Sequence, residues 1–334
     1  MATNITETVP TGAIRYNTDS NKMECFDGTK WMQISVSSPD LNGGARGLFQ
    51  GGGTPSHGDV IDYITIPTAG NAVDFGDTTD TQYEGGATSS RTRGVIALGY
   101  SDPATVDVIE YVTMSSTGNA QDFGNLVAAK RSTAAFSNGT RGVWSGGGDP
   151  LINSIDYVTI ASTGNAQDFG DSTFTGNYGT ANIASPTRGI KAGGRGPSPY
   201  PVYDIIEYVT TATLGNAQDF GDMTSSTFFA AGISNSTRGV IAGGQSPSDN
   251  RLIQYITIST LGNAIDFGLL TLARSCSGGA SSPIRGCTGG GRTPSLVNNI
   301  DYVTIATQGD AVDFGDLTQS RANVAGFSNA HGGL

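Results

Sequence analysis

The sequence has few residues that carry positive charge or reactive side chains. Only four of its 334 residues are lysine, three are cysteine and two are histidine, and the formal net charge is −11. Nucleic-acid binding needs a basic surface, so this composition argues against a nucleic-acid partner. A sugar, a protein or a cation suits it better. His57 and His331 belong to no pattern that forms a catalytic triad or a zinc site.

Long apolar segments are also absent. No run approaches the roughly 18 residues of a membrane helix, and the first residues lack the basic and apolar regions of a signal peptide. We therefore expect a soluble protein made in a cytoplasm, without membrane insertion. Cys25, Cys276 and Cys287 form no disulfide framework. Cys276 and Cys287 are either a disulfide across a hairpin or two small buried thiols.

The sequence contains one motif in six copies. Each copy has an Arg-Gly strand that ends in glycines, a strand with Ile-x-Tyr-(Val/Ile)-Thr, and a strand with Gly-(Asn/Asp)-Ala-x-Asp-Phe-Gly. The six tyrosines are Tyr63, Tyr111, Tyr157, Tyr208, Tyr255 and Tyr302, and the six phenylalanines are Phe75, Phe123, Phe169, Phe220, Phe267 and Phe314. Both series advance by 48, 46, 51, 47 and 47 residues. Such a period, built from short strand-like segments, is typical of a propeller or a β-solenoid.

Residues 131–171 illustrate one copy. Asn138-Gly139 predicts a tight hairpin between a strand of small residues and the Arg-Gly strand. In the third strand, Tyr157 and Val158 lie on opposite faces, so both faces are apolar. Four antiparallel strands in about 48 residues form one propeller blade. The order of strands and glycine pairs resembles the kelch repeat, except that the aromatic residue of the fourth strand is Phe instead of Trp.

The two ends of the repeat region predict how it closes. The first copy begins at its second strand, residues 45–53, whereas residues 323–329 match the first strand of the third copy. The last strand is therefore expected to complete the first blade, which removes exposed sheet edges. The sequence predicts an all-β protein with a six-bladed kelch-like β-propeller over residues 43–334 and a small β-meander within residues 1–40.

Charged residues also recur in the copies. Arginine occupies one position of the second strand, at Arg46, Arg93, Arg141, Arg188, Arg238 and Arg285. An acidic residue precedes the tyrosine in five copies, and Gln254 replaces it in the fifth copy. These arginines either form a ring of charge in the central channel or pair with carboxylates or loop carbonyls in or between blades. Because a residue needed in every blade is expected to build the blade, we favour the second role.

Ligand binding is expected on the face that carries the variable loops. These loops join the second strand to the third and each blade to the next, and function concentrates on such loops. The candidate ligand-binding residues are Tyr83, Phe174, Tyr178, Tyr200, Tyr203, Phe228, Phe229, His57 and Arg251, with Arg195 and Arg292 as secondary candidates. Aromatic rings suit sugars or protein partners, and the alternative is that several of them pack the loops.

No catalytic residue, metal site or cofactor is predicted. Gly-Asn-Ala-x-Asp lacks the ligands of an EF-hand, which leaves surface cations at the carboxylates as the alternative. A carboxylate pair that cleaves glycosides remains a remote alternative.

The N-terminal segment does not belong to the repeat. Residues 11–35 predict three strands with two tight turns, which are too small for a stable core of their own. The segment resembles one found in tail fibres and other structural proteins of tailed, especially marine, bacteriophages. The matching residues are Gly12, Ile14, Arg15, Tyr16, Asn17, Thr18, Asp19, Asp27, Gly28 and Trp31. The repeat itself also resembles repeats in structural proteins of phages.

This resemblance implies a non-enzymatic virion protein of the tail fibre or spike type, assembled in the host cytoplasm and present in several copies per particle. Other virion proteins would hold it through Ile14, Tyr16, Phe26 and Trp31. Its propeller would then bind a glycan or protein of the host surface. The alternative is an architectural protein of capsid, neck or tail that binds only other virion subunits.

Overall fold

The computed structural model describes residues 9–18, 22–33, 45–54, 56–175 and 178–334. Contacts divide the chain into two units, Met1–Gly43 and Gly44–Leu334, whereas the sequence placed the division between residues 40 and 43. Every regular element of the described residues is a β-strand, so the predicted all-β class is confirmed.

The first unit contains an antiparallel meander. Its strands are β1 (Ile14–Asn17), β2 (Lys22–Phe26) and β3 (Trp31–Gln33), with β2 in the centre. The turn before β3 forms because one carboxylate oxygen of Asp27 accepts hydrogen bonds from the backbone N–H groups of Thr29 and Lys30, each at 2.8 Å. Aspartate favours turns through such bonds.

The second unit begins at β4. Its strands are, in chain order, β4 (Arg46–Gln50), β5 (Gly53–Thr54), β6 (Ser56–Thr65), β7 (Val73–Gln82), β8 (Gly86–Ser89), β9 (Arg93–Ala97), β10 (Tyr100–Ser101), β11 (Ala104–Thr105), β12 (Val108–Thr113), β13 (Gln121–Asn125), β14 (Ala134–Ser137), β15 (Arg141–Gly147), β16 (Ile152–Thr159), β17 (Gln167–Asp171), β18 (Ala181–Ala184), β19 (Arg188–Ala192), β20 (Ile205–Thr210), β21 (Gln218–Asp222), β22 (Ala231–Ser234), β23 (Arg238–Ala242), β24 (Leu252–Thr257), β25 (Ile265–Leu269), β26 (Gly278–Ser281), β27 (Arg285–Gly289), β28 (Arg292–Thr293), β29 (Ser295–Leu296), β30 (Asn299–Thr304), β31 (Val312–Asp316) and β32 (Ala325–Ser328).

Apart from the two short hairpins β10-β11 and β28-β29, these strands form six antiparallel sheets, which we number 1 to 6 in chain order. Their orders are β32-β4-β6-β7 with β5 beside β6 (sheet 1), β8-β9-β12-β13 (sheet 2), β14-β15-β16-β17 (sheet 3), β18-β19-β20-β21 (sheet 4), β22-β23-β24-β25 (sheet 5) and β26-β27-β30-β31 (sheet 6). In sheet 1 the first strand is β32, which pairs with β4 from Ala325 opposite Gln50 to Ser328 opposite Gly47. Repeated four-stranded antiparallel sheets are consistent with a β-propeller.

The apolar core lies between the sheets. One cluster joins Leu48 and Phe75 of sheet 1 with Ile96 of sheet 2, and four further clusters each join the next two sheets along the chain. Another cluster joins Ile300 of sheet 6 with Phe49 of sheet 1. Both faces of a sheet therefore bury apolar side chains, because each face packs against a different neighbour.

The arginine of the second strand has the same contacts in all six sheets. The Arg46 guanidinium lies 4.7 Å from the centroid of the Tyr63 ring in its own sheet, and it donates to the carbonyl oxygen of Met114 in sheet 2 at 3.0 Å. The same pair of contacts recurs at Arg93, Arg141, Arg188, Arg238 and Arg285. The sequence left two roles open for these arginines, a ring of charge in the channel or pairing within or between blades. In the structure they bind backbone carbonyls of the neighbouring sheet.

In four sheets the acidic residue before the tyrosine pairs with a different cation. The four pairs are Arg321–Asp62 (2.9 Å), Lys130–Asp156 (3.0 Å), Lys191–Glu207 (2.5 Å) and Arg274–Asp301 (3.3 Å), and every side chain in them is buried. In sheet 5 the acid is replaced by Gln254, which accepts hydrogen bonds from the backbone N–H and the hydroxyl of Thr224. In sheet 2 the buried Glu110 forms no ion pair among the described residues; it accepts a hydrogen bond from the backbone N–H of Thr79 at 3.1 Å, and burial raises its pKa.

Small residues bring the first strands of neighbouring sheets close together. Five of them end in serine, and four of these serine hydroxyls donate to the carbonyl oxygen of the corresponding serine in a neighbouring sheet. These bonds join Ser281 to Ser234, Ser328 to Ser281, Ser89 to Ser328, and Ser137 to Ser89. In sheet 4 the position is Ala184, which has no hydroxyl.

Candidate functional site

The variable loops share a repeated backbone frame. In every sheet a β-bridge joins two loop residues. The first lies three positions before the first strand, and the second comes directly after a glycine at the end of the second strand. The bridges are Ala322–Gly53, Tyr83–Tyr100, Arg131–Gly148, Tyr178–Arg195, Phe228–Gln245 and Ser275–Arg292 in sheets 1 to 6. We call these twelve residues the loop crown. Its backbone is constant, whereas its side chains differ in every sheet.

The residues that follow the first members of the bridges line a cavity between the first strands. The residue after the first member of each bridge has a positive φ, at Glu84, Ser132, Gly179, Phe229, Cys276 and Asn323. Five backbone hydrogen bonds run around these six residues, each from the N–H of one to the carbonyl oxygen of the one before. All six line a cavity of about 130 Å³. Pockets for drug-sized ligands hold about 300–1,000 Å³, so a larger ligand would have to bind on the loop crown itself.

The first aromatic cluster lies in sheets 1 to 3. The His57 ring stacks on Tyr83 with centroids 4.5 Å apart, and Tyr100 lies 5.1 Å from Tyr83. Arg131 donates to the Tyr83 hydroxyl oxygen at 2.9 Å and lies 5.3 Å from the centroid of Tyr100. The sequence identified His57 and Tyr83 as candidates but missed Tyr100 and Arg131.

A buried carboxylate connects this cluster to Tyr178. Glu84 accepts hydrogen bonds from the Tyr178 hydroxyl at 2.6 Å and the Ser132 hydroxyl at 2.8 Å, and it lies 3.6 Å from Arg131 Nε. Burial, followed by the charge of Glu84, raises the pKa of Tyr178. Tyr178 is thus a hydrogen-bond donor within the loop crown.

The second cluster contains Arg195. Its guanidinium lies 4.5 Å from the centroid of Tyr200 and 5.4 Å from that of Phe228. Phe228 is buried, and Tyr200 keeps 55% of its surface exposed. Phe229 packs against both Phe228 and Tyr178, with ring centroids 5.0 and 5.2 Å apart.

The remaining candidate residues have separate contacts. Phe174 and Tyr203 pack on each other with centroids 4.9 Å apart. The exposed Arg251 donates from Nε to the carbonyl oxygen of Leu270 at 2.6 Å. Arg292 donates to the side-chain oxygen of Gln245 at 3.2 Å.

The candidate attachment residues lie on two faces of the meander. Ile14 pairs with Cys25, and Tyr16 with Met23, so these residues share one face. Ile14 and Tyr16 are 62% and 55% exposed. Phe26 and Trp31 pair with each other on the other face, where the Arg15 guanidinium lies 4.1 Å from the Trp31 ring.

The two cysteines of the second unit are not joined by a disulfide. Cys276 and Cys287 are free and buried, and burial raises the pKa of Cys276 to about 11 and that of Cys287 to about 12. They are therefore the pair of buried thiols considered from the sequence. In the part of the chain that the structure describes, no three or more His, Cys, Asp or Glu residues are grouped as metal ligands.

The comparison with protein-family models gives no match, and the comparison with curated proteins gives none either. Among the described residues there is no helix with the length and apolar character needed to cross a membrane.

Proposed function

We propose that the six sheets are the blades of a closed six-bladed propeller. Three features support closure between sheets 6 and 1. Strand β32 pairs with β4, the cluster with Ile300 and Phe49 fills the space between these sheets, and Arg285 donates to the carbonyl oxygen of Pro67 at 2.8 Å.

We also propose that the protein is a non-enzymatic recognition module whose loop crown binds a glycan or protein on a host surface. The observation that carries this proposal is the contrast in the loop crown between a constant backbone and variable side chains. Function is commonly placed on variable loops of a rigid scaffold. The exposed ring of Tyr200 beside Arg195 is the most accessible aromatic surface among the candidates.

The proposed setting is the particle of a tailed bacteriophage, and it rests on the resemblance of residues 12–31 and of the repeat motif. The meander would attach the propeller to other virion proteins through the exposed face that carries Ile14 and Tyr16. Several copies on one particle would convert weak single contacts into firm attachment.

Cell binding tests the recognition role. Labelled full-length protein is incubated with a panel of bacterial strains, and the bound fraction is compared with that of the variants Tyr200→Ala and Ile284→Ala. Ile284 is 67% exposed and lies in the turn between β26 and β27, on the opposite side of its sheet from the variable loops. We expect binding to at least one strain, its loss in Tyr200→Ala, and no change in Ile284→Ala. Wild-type protein that binds no cells but joins particles lacking it would contradict the proposal.

An architectural role is the second candidate, and the outer strands of sheets 5, 6 and 1 favour it. Ile265, Val312 and Val73 occupy one repeat position there and are 55%, 54% and 54% exposed. Sheets 2 to 4 have glutamine at this position, and each glutamine accepts a hydrogen bond from the neighbouring tyrosine. An apolar rim confined to three adjacent sheets suits a contact with another virion subunit. Substitution of all three residues by glutamine should then abolish incorporation into particles without changing cell binding.

A further inference from the structure

The fourteen arginines of this acidic chain differ in the contacts that they make. Six of the fourteen link neighbouring sheets, and Arg274 and Arg321 form buried ion pairs. Arg15 belongs to the meander. Of the remaining five, Arg91 lies in the turn between β8 and β9, and the other four lie in the variable loops: Arg131, Arg195, Arg251 and Arg292. Positive charge that the scaffold does not use is therefore concentrated on one face.

Arg195 differs from the other three in its contacts. Arg131 pairs with Glu84 and Asp149, Arg251 donates to a carbonyl oxygen, and Arg292 donates to Gln245. Among the residues that the structure describes, the Arg195 guanidinium meets only the rings of Tyr200 and Phe228.

The two rings hold the planar guanidinium without occupying its N–H donors. Arginine presents these donors as a rigid fork that matches the two oxygens of a carboxylate. A guanidinium fixed in place by aromatic contacts loses less entropy when it binds such a group. The site is therefore prepared for an anion with two oxygens in a plane.

The exposed ring of Tyr200 adds a second requirement for the ligand. Its accessible face suits the apolar face of a sugar ring. A ligand that satisfies both groups combines a carboxylate with a pyranose ring, as a uronic acid does. An acidic peptide would need a second, apolar side chain in the right place to cover the tyrosine face, whereas a uronic acid carries both groups on one rigid ring.

We infer that Arg195 of the loop crown and the adjacent Tyr200 bind a carboxylate-bearing saccharide, with Arg195 holding the carboxylate and Tyr200 stacking on the sugar ring. This inference rests on the proposed recognition function and names the class of its ligand. We place the ligand on the loops and not in the cavity of about 130 Å³, which is smaller than the ligand-sized pockets cited above.

Binding to an array of matched saccharides tests the inference. The full-length protein is applied to oligosaccharides of uronic and sialic acids and to the methyl esters of the same compounds, which keep the ring and lose the charge. Binding is then quantified for the bound compounds by titration calorimetry. We expect the protein to bind members of the acidic set and to bind their methyl esters at least about tenfold more weakly, because a charge-assisted hydrogen bond is lost.

Variants locate the site. Arg195→Gln should weaken binding of the acidic saccharide about tenfold or more, Arg195→Lys should weaken it less, and Tyr200→Ala should weaken binding of acid and ester alike. Arg91→Gln removes the same charge on the opposite side of its sheet and should leave affinity within about twofold. Thermal unfolding of each variant checks that it folds.

The outcomes separate this inference from the proposed function. Equal binding of acid and ester, undiminished affinity in Arg195→Gln, or no binding to any acidic saccharide at millimolar concentration overturns the inference. So does binding of a glutamate-rich peptide in preference to the saccharides. If cells are bound by the wild type and equally by Arg195→Gln, the inference fails while the recognition function stands. If the wild type binds no cells, the recognition function fails.

Discussion

Two glycines with the same backbone conformation lie in different surroundings. Gly170 in β17 has φ +147° and Gly164 in the preceding turn has φ +154°, a region that other residues rarely adopt. A Cβ on Gly170 would lie 2.6 Å from the carbonyl carbon of Gly215 in sheet 4, whereas a Cβ on Gly164 would meet no atom within 4 Å. The glycine of Asp-Phe-Gly therefore permits close approach of two sheets as well as an unusual φ.

We expect this difference to appear in stability. Gly164→Ala should cost about 1–2 kcal/mol through backbone strain alone. Gly170→Ala should cost a further 1–3 kcal/mol, because backbone atoms of sheet 4 would have to move. Urea unfolding of both variants measures the free energies. Equal losses would mean that sheets 3 and 4 are farther apart at this point than the structure has them.

His331 predicts a dependence of stability on pH. Its Nε2 lies 3.0 Å from the Ser137 hydroxyl and 3.2 Å from the carbonyl oxygen of Ser89, and its Nδ1 accepts a hydrogen bond from the Gly333 N–H at 3.0 Å. Burial lowers the pKa of His331 from its ordinary value of 6.5 to about 4. The folded state thus favours the neutral ring, so its contribution to stability is complete above pH 6.5 and is lost as the pH falls towards 4.

The expected loss between pH 6.5 and 4 is roughly 3 kcal/mol at most, since each unit of pKa shift is worth about 1.4 kcal/mol. Burial raises the pKa of Glu110, which contributes stability at low pH and so acts in the opposite direction. The measurement is therefore the difference between the wild type and His331→Gln in denaturant unfolding at several pH values. A difference that does not change with pH would contradict the prediction.

At the residue scale, the sequence supplied the aromatic side chains of the loops but not their partners. Tyr83 bonds to Arg131, 48 positions away, and Tyr178 bonds to Glu84, 94 positions away. These separations in sequence depend on which sheets lie side by side, and no pattern of neighbouring residues predicts them. The ion pairs of the acidic residues before the tyrosine were likewise not predicted. In three sheets the cation comes from the segment before the first strand, and in sheet 4 it is Lys191 of the second strand.

At the scale of single strands, β32 is the element on which sheet 1 depends. Phe327 of β32 and Phe136 of β14 occupy the same repeat position, and each is 4% exposed. Phe327 packs with Leu48 and Phe75, and Phe136 packs with Val143 and Phe169. The last strand is therefore packed like a strand in the middle of the chain.

Alanine at these two positions should have equal effects. We expect Phe327→Ala and Phe136→Ala each to cost about 3–5 kcal/mol, as removal of a buried phenylalanine does. Urea unfolding gives both values. If Phe327→Ala costs less than about 1 kcal/mol, β32 is frayed and does not complete sheet 1.

The sequence predicted the long strands well because the motif recurs with a fixed period and clear turn residues. It did not predict the short strands β5, β10, β11, β28 and β29, which lie in the variable loops. These pairs contain only a few residues, so no alternation of apolar and polar positions can develop in them.

At the scale of the whole molecule, the proposed ring makes every interface between sheets equivalent. The arginine contact recurs between sheets 3 and 4, where Arg141 donates to the carbonyl oxygen of Thr211 at 3.1 Å. It recurs between sheets 6 and 1, where Arg285 donates to the carbonyl oxygen of Ile66, at the same repeat position, at 3.3 Å and to that of Pro67 at 2.8 Å. Their guanidinium groups lie 4.9 and 4.6 Å from the rings of Tyr157 and Tyr302. The chain passes from sheet 3 into all four strands of sheet 4, whereas from sheet 6 it passes only into β32, which non-covalent contacts alone join to β4 and the rest of sheet 1.

A closed ring should therefore respond equally to the loss of either arginine. We expect Arg141→Ala and Arg285→Ala each to lower the free energy of unfolding by about 1–3 kcal/mol, through a lost charged hydrogen bond and a lost contact with the tyrosine ring. Hydrogen exchange in the same variants should show one cooperative transition for all sheets. An open ring predicts a different pattern: Arg285→Ala would cost almost nothing, and the amides of β4 and β30 would already exchange faster in the wild type than those of β15 and β16.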